Sequence, residues 1–114
     1  MLAFRTLLVV IFGVLTVYTL IVGSAYGWDI LPIFFRDIAA MAWPGQFNLD
    51  FMGFLILSGL WVAWRNNFSA MGLGLGVVAF FGGIMFLTPY LFYLSFETKG
   101  DMKKILLGQI RASN

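Results

Sequence analysis

The chain contains no cysteine and no histidine. The first absence excludes a disulfide framework, a thiolate metal site and a cysteine nucleophile. The second removes the commonest general base, the commonest metal ligand and the usual axial ligand of haem. It also removes the usual side-chain ligand of a chlorophyll magnesium. Charge is scarce as well: 11% of the 114 residues are charged, against about 25% in a soluble domain. The net charge of +2 is too small and scattered for a nucleic-acid surface. No glycine loop cradles a phosphate, because Gly72, Gly74 and Gly76 lie in an apolar run without a preceding strand. These absences leave no metal or cofactor site supplied by the chain's own ligands, no catalytic residue and no expectation of an enzyme. A lipid or a pigment could be bound only by contact.

What is present is apolar. Hydrophobic residues make up 61%, against about 45–50% in soluble proteins, an excess that calls for a lipid solvent. The expected fold is a single all-α integral membrane domain, residues 1–114, with three transmembrane helices. The first span is 6–24, about 28 Å long at about 1.5 Å per residue, close to one hydrocarbon thickness. A secretory signal headed by Arg5 is its rival, but the apolar part is long for a signal. The second span is 47–64 and the third 70–96, long enough to tilt or to kink at Pro89. The link Arg65-Asn66-Asn67-Phe68-Ser69 is short, so spans two and three form an antiparallel hairpin, with Ser69 or Asn67 capping the third helix.

Between the first two spans, 29–43 reads as an amphipathic helix lying in the membrane surface. Leu31, Phe34, Phe35, Ile38 and Ala42 share one face and Asp29, Arg36 and Asp37 the other, with Ile33 as the misfit. Trp28 and Trp43 anchor its ends at the interface, as Trp61 and Trp64 anchor the exit of span two. Pro44-Gly45 reads as the turn into span two. In the tail, 97–114, Gly100 breaks the helix and Asp101 caps a short basic amphipathic one. Its Lys103, Lys104 and Arg111 face anionic lipid headgroups.

Two features are candidate sites. The stretch Gln46-Phe47-Asn48-Leu49-Asp50-Phe51 sets polar groups at the mouth of span two. Asn48 as N-cap and Asp50 in the first turn would simply start a helix. Alternatively Gln46, Asn48 and Asp50, with Arg36 as partner, form a polar site for a cation or an amine headgroup. The second feature is a stripe of small residues on span three, Gly72, Gly76, Ala79 and Gly83, which lets a helix approach closely. Gly13 and Gly23 begin and end a small face on span one. The stripe serves packing within the chain or docking of a partner subunit, and a three-helix protein has room for both.

Three crossings put Arg5 and Arg65 on one side and Arg36, Lys99, Lys103, Lys104 and Arg111 on the other. The excess of positive charge then places the carboxyl end in the cytoplasm, against the vote of Arg5.

The polar mouth of span two, its exit Leu60-Trp61-Val62-Ala63-Trp64-Arg65 and the last span ending Pro89-Tyr90-Leu91-Phe92-Tyr93 together resemble a group of small bacterial three-span proteins, a domain family of unknown function. The resemblance covers most of the chain after the first span. It implies the three-helix layout and no activity; the expected location is a bacterial inner membrane. The function expected is a non-catalytic accessory subunit or assembly factor of a larger membrane complex, photosynthetic or respiratory complexes being the host class to check first. Its partners would be membrane lipids and other membrane subunits. The alternative is a small homo-oligomeric transporter, channel or lipid-binding protein.

Overall fold

The structure is a computed structural model describing residues 1–113, and Asn114, the end of the expected tail, lies outside the described residues. Among the described residues there are seven α-helices and no strand: α1 Leu2–Tyr26, α2 Ile30–Ala39, α3 Trp43–Arg65, α4 Ala70–Gly82, α5 Ile84–Glu97, α6 Met102–Leu107 and α7 Gln109–Ala112. Two of them, α1 with 25 residues and α3 with 23, are long and apolar enough to cross a membrane.

α1 carries one charge, Arg5, and ends at Gly27, whose φ of 89° suits glycine alone. The Trp28 ring then folds back over Gly23. α2 does not stand alone as a surface helix. It runs antiparallel to the first turns of α3, held by the Asn48 Nδ2 group donating to the Phe34 carbonyl at 3.1 Å. Of its expected apolar face, Phe34 and Ile38 are half-buried while Leu31, Phe35 and Ala42 are exposed. The turn into α3 is made at Met41 (φ 58°), not at Pro44-Gly45. Pro44 sits in the first helical turn, where its missing N–H is not needed. Gly45 lies so close to the backbone of Asp37 and Ile38 that no Cβ would fit.

The largest correction concerns the expected third span. Residues 70–96 are not one helix: the run divides at Gly83 (φ 55°, ψ −137°) into α4 and α5. The bend is not at Pro89, which α5 accommodates in its interior. The Gly83 break reverses the chain. Gly72 lies against Asn66, Gly76 against Gly59 and Gly83 against Phe51 and Leu55, so α4 runs antiparallel to α3, away from the α3 C-terminus. α5 then runs back, because the Tyr90 hydroxyl accepts from Asn66 Nδ2 at 3.0 Å and the Tyr90 ring meets Trp61 at 6.4 Å. An uninterrupted helix would carry Tyr90 about 20 Å further from Gly76, towards the α3 N-terminus. Each leg of the hairpin, 13 and 14 residues, is about 20 Å long, short of the about 30 Å of a hydrocarbon core.

The hairpin wedges between the two long helices, α4 packing on α3 and α5 on α1, while α1 and α3 scarcely touch. α5 is antiparallel to α1: Arg5 reaches Ser95, and the Thr16 hydroxyl donates to the Met85 sulfur at 3.5 Å. The fully buried positions, Val62, Ala79, Leu94, Ser95 and Ile105, follow these two seams and the tail. The tail is two short helices broken at Gly108 (φ 85°) rather than one amphipathic helix. The whole measures 48 × 28 × 23 Å, with a radius of gyration of 16.1 Å against about 13 Å for a compact domain of this length.

Candidate functional site

Polar chemistry gathers at the two ends of this elongated body, with an apolar cleft between them. At the tail end the centre is Arg65, 7% exposed. It is the last residue of α3, and the sequence marks it only as a loop charge beyond a charge-free run. Its Nε donates to the Ile105 carbonyl at 2.6 Å and its Nη2 to the Lys104 carbonyl at 3.2 Å. Nη1 lies 3.5 Å from the Tyr90 hydroxyl. The Trp61 indole N–H donates to the Leu106 carbonyl at 3.0 Å. These carbonyls belong to the last turn of α6, where a cation is favoured by the helix dipole, and the Lys104 carbonyl also accepts from the Gly108 N–H at 2.9 Å.

Three further contacts close this end. Arg111 turns inward, donating to the Trp64 carbonyl and stacking on the Trp64 ring at 4.1 Å, so it does not project toward headgroups as the sequence suggested. Arg5 donates to the Ser95 side chain at 2.9 Å and the Ser95 carbonyl at 3.0 Å, and covers the Phe96 ring at 3.8 Å. Gly100 packs on Met1. Lys103 remains exposed and Lys104 half-buried. Arg5, Tyr90, Ser95 and Asn66 were missed as site residues. The one signal for them was an arginine at the start of the first charge-free run and another at the end of the second.

At the opposite end the expected polar cluster does not assemble. Asn48 is not an N-cap, because α3 begins a turn and a half earlier at Trp43 with Ala42 as its N-cap residue. Its side chain ties α2 to α3 instead. Asp50 is not in a first turn. It is exposed, and among the described residues no ion pair joins it to Arg36. Asp50 follows Asn48 by two residues, and Arg36 follows Phe34 by two. Each is therefore about 200° from the side where α2 and α3 meet, and the two charges point away from each other. Gln46 is exposed and lines a shallow cleft of about 550 Å³ with Ile38, Trp43 and Leu49.

The larger cleft, about 800 Å³, lies beyond the tip of the hairpin. Val10, Val14 and Tyr18 of α1 form one wall, Phe51 of α3 another, and Phe81 to Met85 the floor. It exists because the hairpin is shorter than the helices it separates.

The small-residue stripe is covered within the chain. Gly72, Gly76, Ala79 and Gly83 are all buried, and a Cβ on Gly76 would stand 2.8 Å from the Gly59 carbonyl oxygen. Gly23 is covered by Trp28, whereas Gly13 has nothing within 4 Å. Trp43 is 71% and Trp28 56% exposed, while Trp61 and Trp64 are half-buried by the tail. No group of His, Cys, Asp or Glu able to hold a metal occurs among the described residues. No family model, no curated protein and no solved structure matches the chain.

Proposed function

We propose that the chain is a membrane-embedded, non-catalytic accessory subunit or assembly factor of a larger membrane complex. The observation that carries this reading is an unfinished bundle: α1 and α3 scarcely touch, and only 11% and 17% of their most apolar windows are buried. Core helices of a soluble protein would be mostly covered. The chain exposes 7788 Å², against about 6,300 Å² for a compact globular chain of 12.8 kDa. Large apolar side chains such as Val14, Leu20, Phe54 and Leu57 are more than half exposed, a surface suited to lipid and to other membrane helices. Trp43 and Trp64 lie about 32 Å apart along α3, one hydrocarbon thickness, as interfacial anchors would.

In this reading α1 and α3 cross the membrane and the α4–α5 hairpin enters from the tail side without crossing. Arg5, Arg65, Lys99, Lys103, Lys104 and Arg111 then share one side, leaving Arg36 alone on the other. The positive-inside rule puts both termini in the cytoplasm of a bacterial cell, and Arg5 no longer conflicts with the tail. Purification in mild detergent tests the role: a stoichiometric foreign membrane protein should accompany the chain. A closed ring of identical chains would instead support the homo-oligomeric transporter or channel.

A second reading, binding of a lipid or other hydrophobic ligand, is favoured by the 800 Å³ apolar cleft beyond the hairpin. Retention of one lipid species through purification, lost on Val14→Trp, would support it.

A further inference from the structure

We infer that the outer face of α3 around Asp50 docks a transmembrane helix of a partner subunit, one carrying a lysine or arginine opposite this carboxylate. The inference deepens the accessory-subunit reading and rests on it. Asp50 lies seven residues inside α3 from Trp43, about 10 Å deeper than that anchor and about a third of the way along the helix. It is half a turn of the wheel, about 180°, from Gly59, the residue at the α3–α4 seam. Its carboxylate therefore faces outward, at a depth where the bilayer supplies no water. Ionisable groups at such depth normally face a bundle interior and pair with an opposite charge. Here no cation of the chain is placed to do so. Arg36 points away on α2, and the other six cations lie at the tail end or, in the case of Arg5 and Arg65, are bonded there.

The surroundings of Asp50 suit a helix. Asp50, Gly53, Phe54 and Leu57 line a shallow groove of about 420 Å³ on α3. Gly53 has nothing within 4 Å of where a Cβ would stand, which leaves room for a neighbouring backbone to come close. Phe54 and Leu57 are 68% and 63% exposed and flank the carboxylate with apolar surface. A partner helix seated there would cover the apolar flanks and neutralise the charge together. Charge complementarity thus selects a cationic helix over lipid acyl chains, which can cover the flanks but not satisfy Asp50.

The test is affinity purification of the tagged full chain from native membranes in mild detergent, with a photo-crosslinking residue at Leu57. The expected product is a crosslink to a foreign membrane helix with a Lys or Arg within one turn of the crosslinked position. Asp50→Asn should lower recovery of that partner about tenfold, and Asp50→Lys should abolish it. Exchanging the partner's cation for Glu should restore recovery with Asp50→Lys. Gly53→Leu should also reduce recovery by filling the groove without touching the charge. Unchanged thermal unfolding of each variant in detergent shows that the chain itself is intact. Crosslinks to lipid only, or to a second copy of the chain, overturn the inference. So does a partner recovered at the wild-type level with both Asp50→Asn and Asp50→Lys, an outcome that leaves the accessory-subunit reading standing. Absence of any foreign partner overturns both.

Discussion

Gly59 and Gly76 face each other across the α3–α4 seam, each carbonyl oxygen 2.8 Å from the place a Cβ would occupy on the other. Two backbones can come this close only where both residues lack side chains. Gly59→Ala or Gly76→Leu should force the helices apart and destabilise the chain by about 1–3 kcal/mol, read as thermal unfolding in detergent. Gly74→Ala, on the open side of α4 with nothing within 4 Å, should be neutral or slightly stabilising. Equal behaviour of Gly74 and Gly76 variants would remove the seam from the account.

The hairpin depends on Gly83. A Cβ there would meet the Phe51 ring at 3.1 Å and Leu55 at 3.2 Å, on a backbone with φ 55° and ψ −137°. Gly83→Ala should cost about 1–3 kcal/mol. Pro89→Ala should cost far less, because α5 already accommodates the ring. Comparison of the two melting temperatures checks which residue makes the bend.

The reversal at Gly83 also has a topological consequence. Met1 and the tail lie at the same end of the body. Reporter fusions before Met1 and after the tail should therefore read the same side of the membrane, the cytoplasmic one. Opposite sides would mean an odd number of crossings and would restore the three-span layout.

Arg65 should be the residue on which the tail depends. Arg65→Met removes the donor to the buried Ile105 carbonyl and a second donor to the Lys104 carbonyl, which keeps the Gly108 N–H. A loss of roughly 1.5–3 kcal/mol is expected, with cleavage of α6 and α7 by added protease before the rest of the chain. Arg65→Lys should rescue little, since one ammonium cannot span both carbonyls and the tyrosine.

Asn48 and Asp50, two residues apart, should behave differently. Asn48→Ala deletes the bond to the Phe34 carbonyl and should cost about 1 kcal/mol of unfolding free energy. Asp50→Asn removes no hydrogen bond or ion pair among the described residues and should leave the melting temperature unchanged. A strongly destabilised Asp50→Asn chain would mean that the carboxylate has an internal role after all.

Much of the local structure was legible. Ser69 accepts from the Gly72 N–H at 3.0 Å and Asp101 from the Lys103 N–H at 3.1 Å, as cap residues placed just ahead of an apolar run should. Two of the three charge-free runs became the long helices, while the third, 70–96, became the hairpin. The polar site around Asp50 was not legible, because helical phase decides whether neighbouring polar residues meet. The helix start at Trp43, seven residues ahead of Asp50, moved it out of the first turn.

By itself, then, the sequence determined the helical, apolar character of the chain, the caps at Ser69 and Asp101 and the lack of cysteine and histidine. Only the tertiary structure decided direction. Hydropathy is a sum over residues and reads the same whether a run continues or folds back, so nothing in 70–96 distinguishes a crossing from a hairpin. That choice was made by a glycine φ of 55° at Gly83 and by Tyr90 bonding to Asn66, a contact between residues 24 positions apart. The same reversal gathers Arg5, Arg65 and the tail at one end.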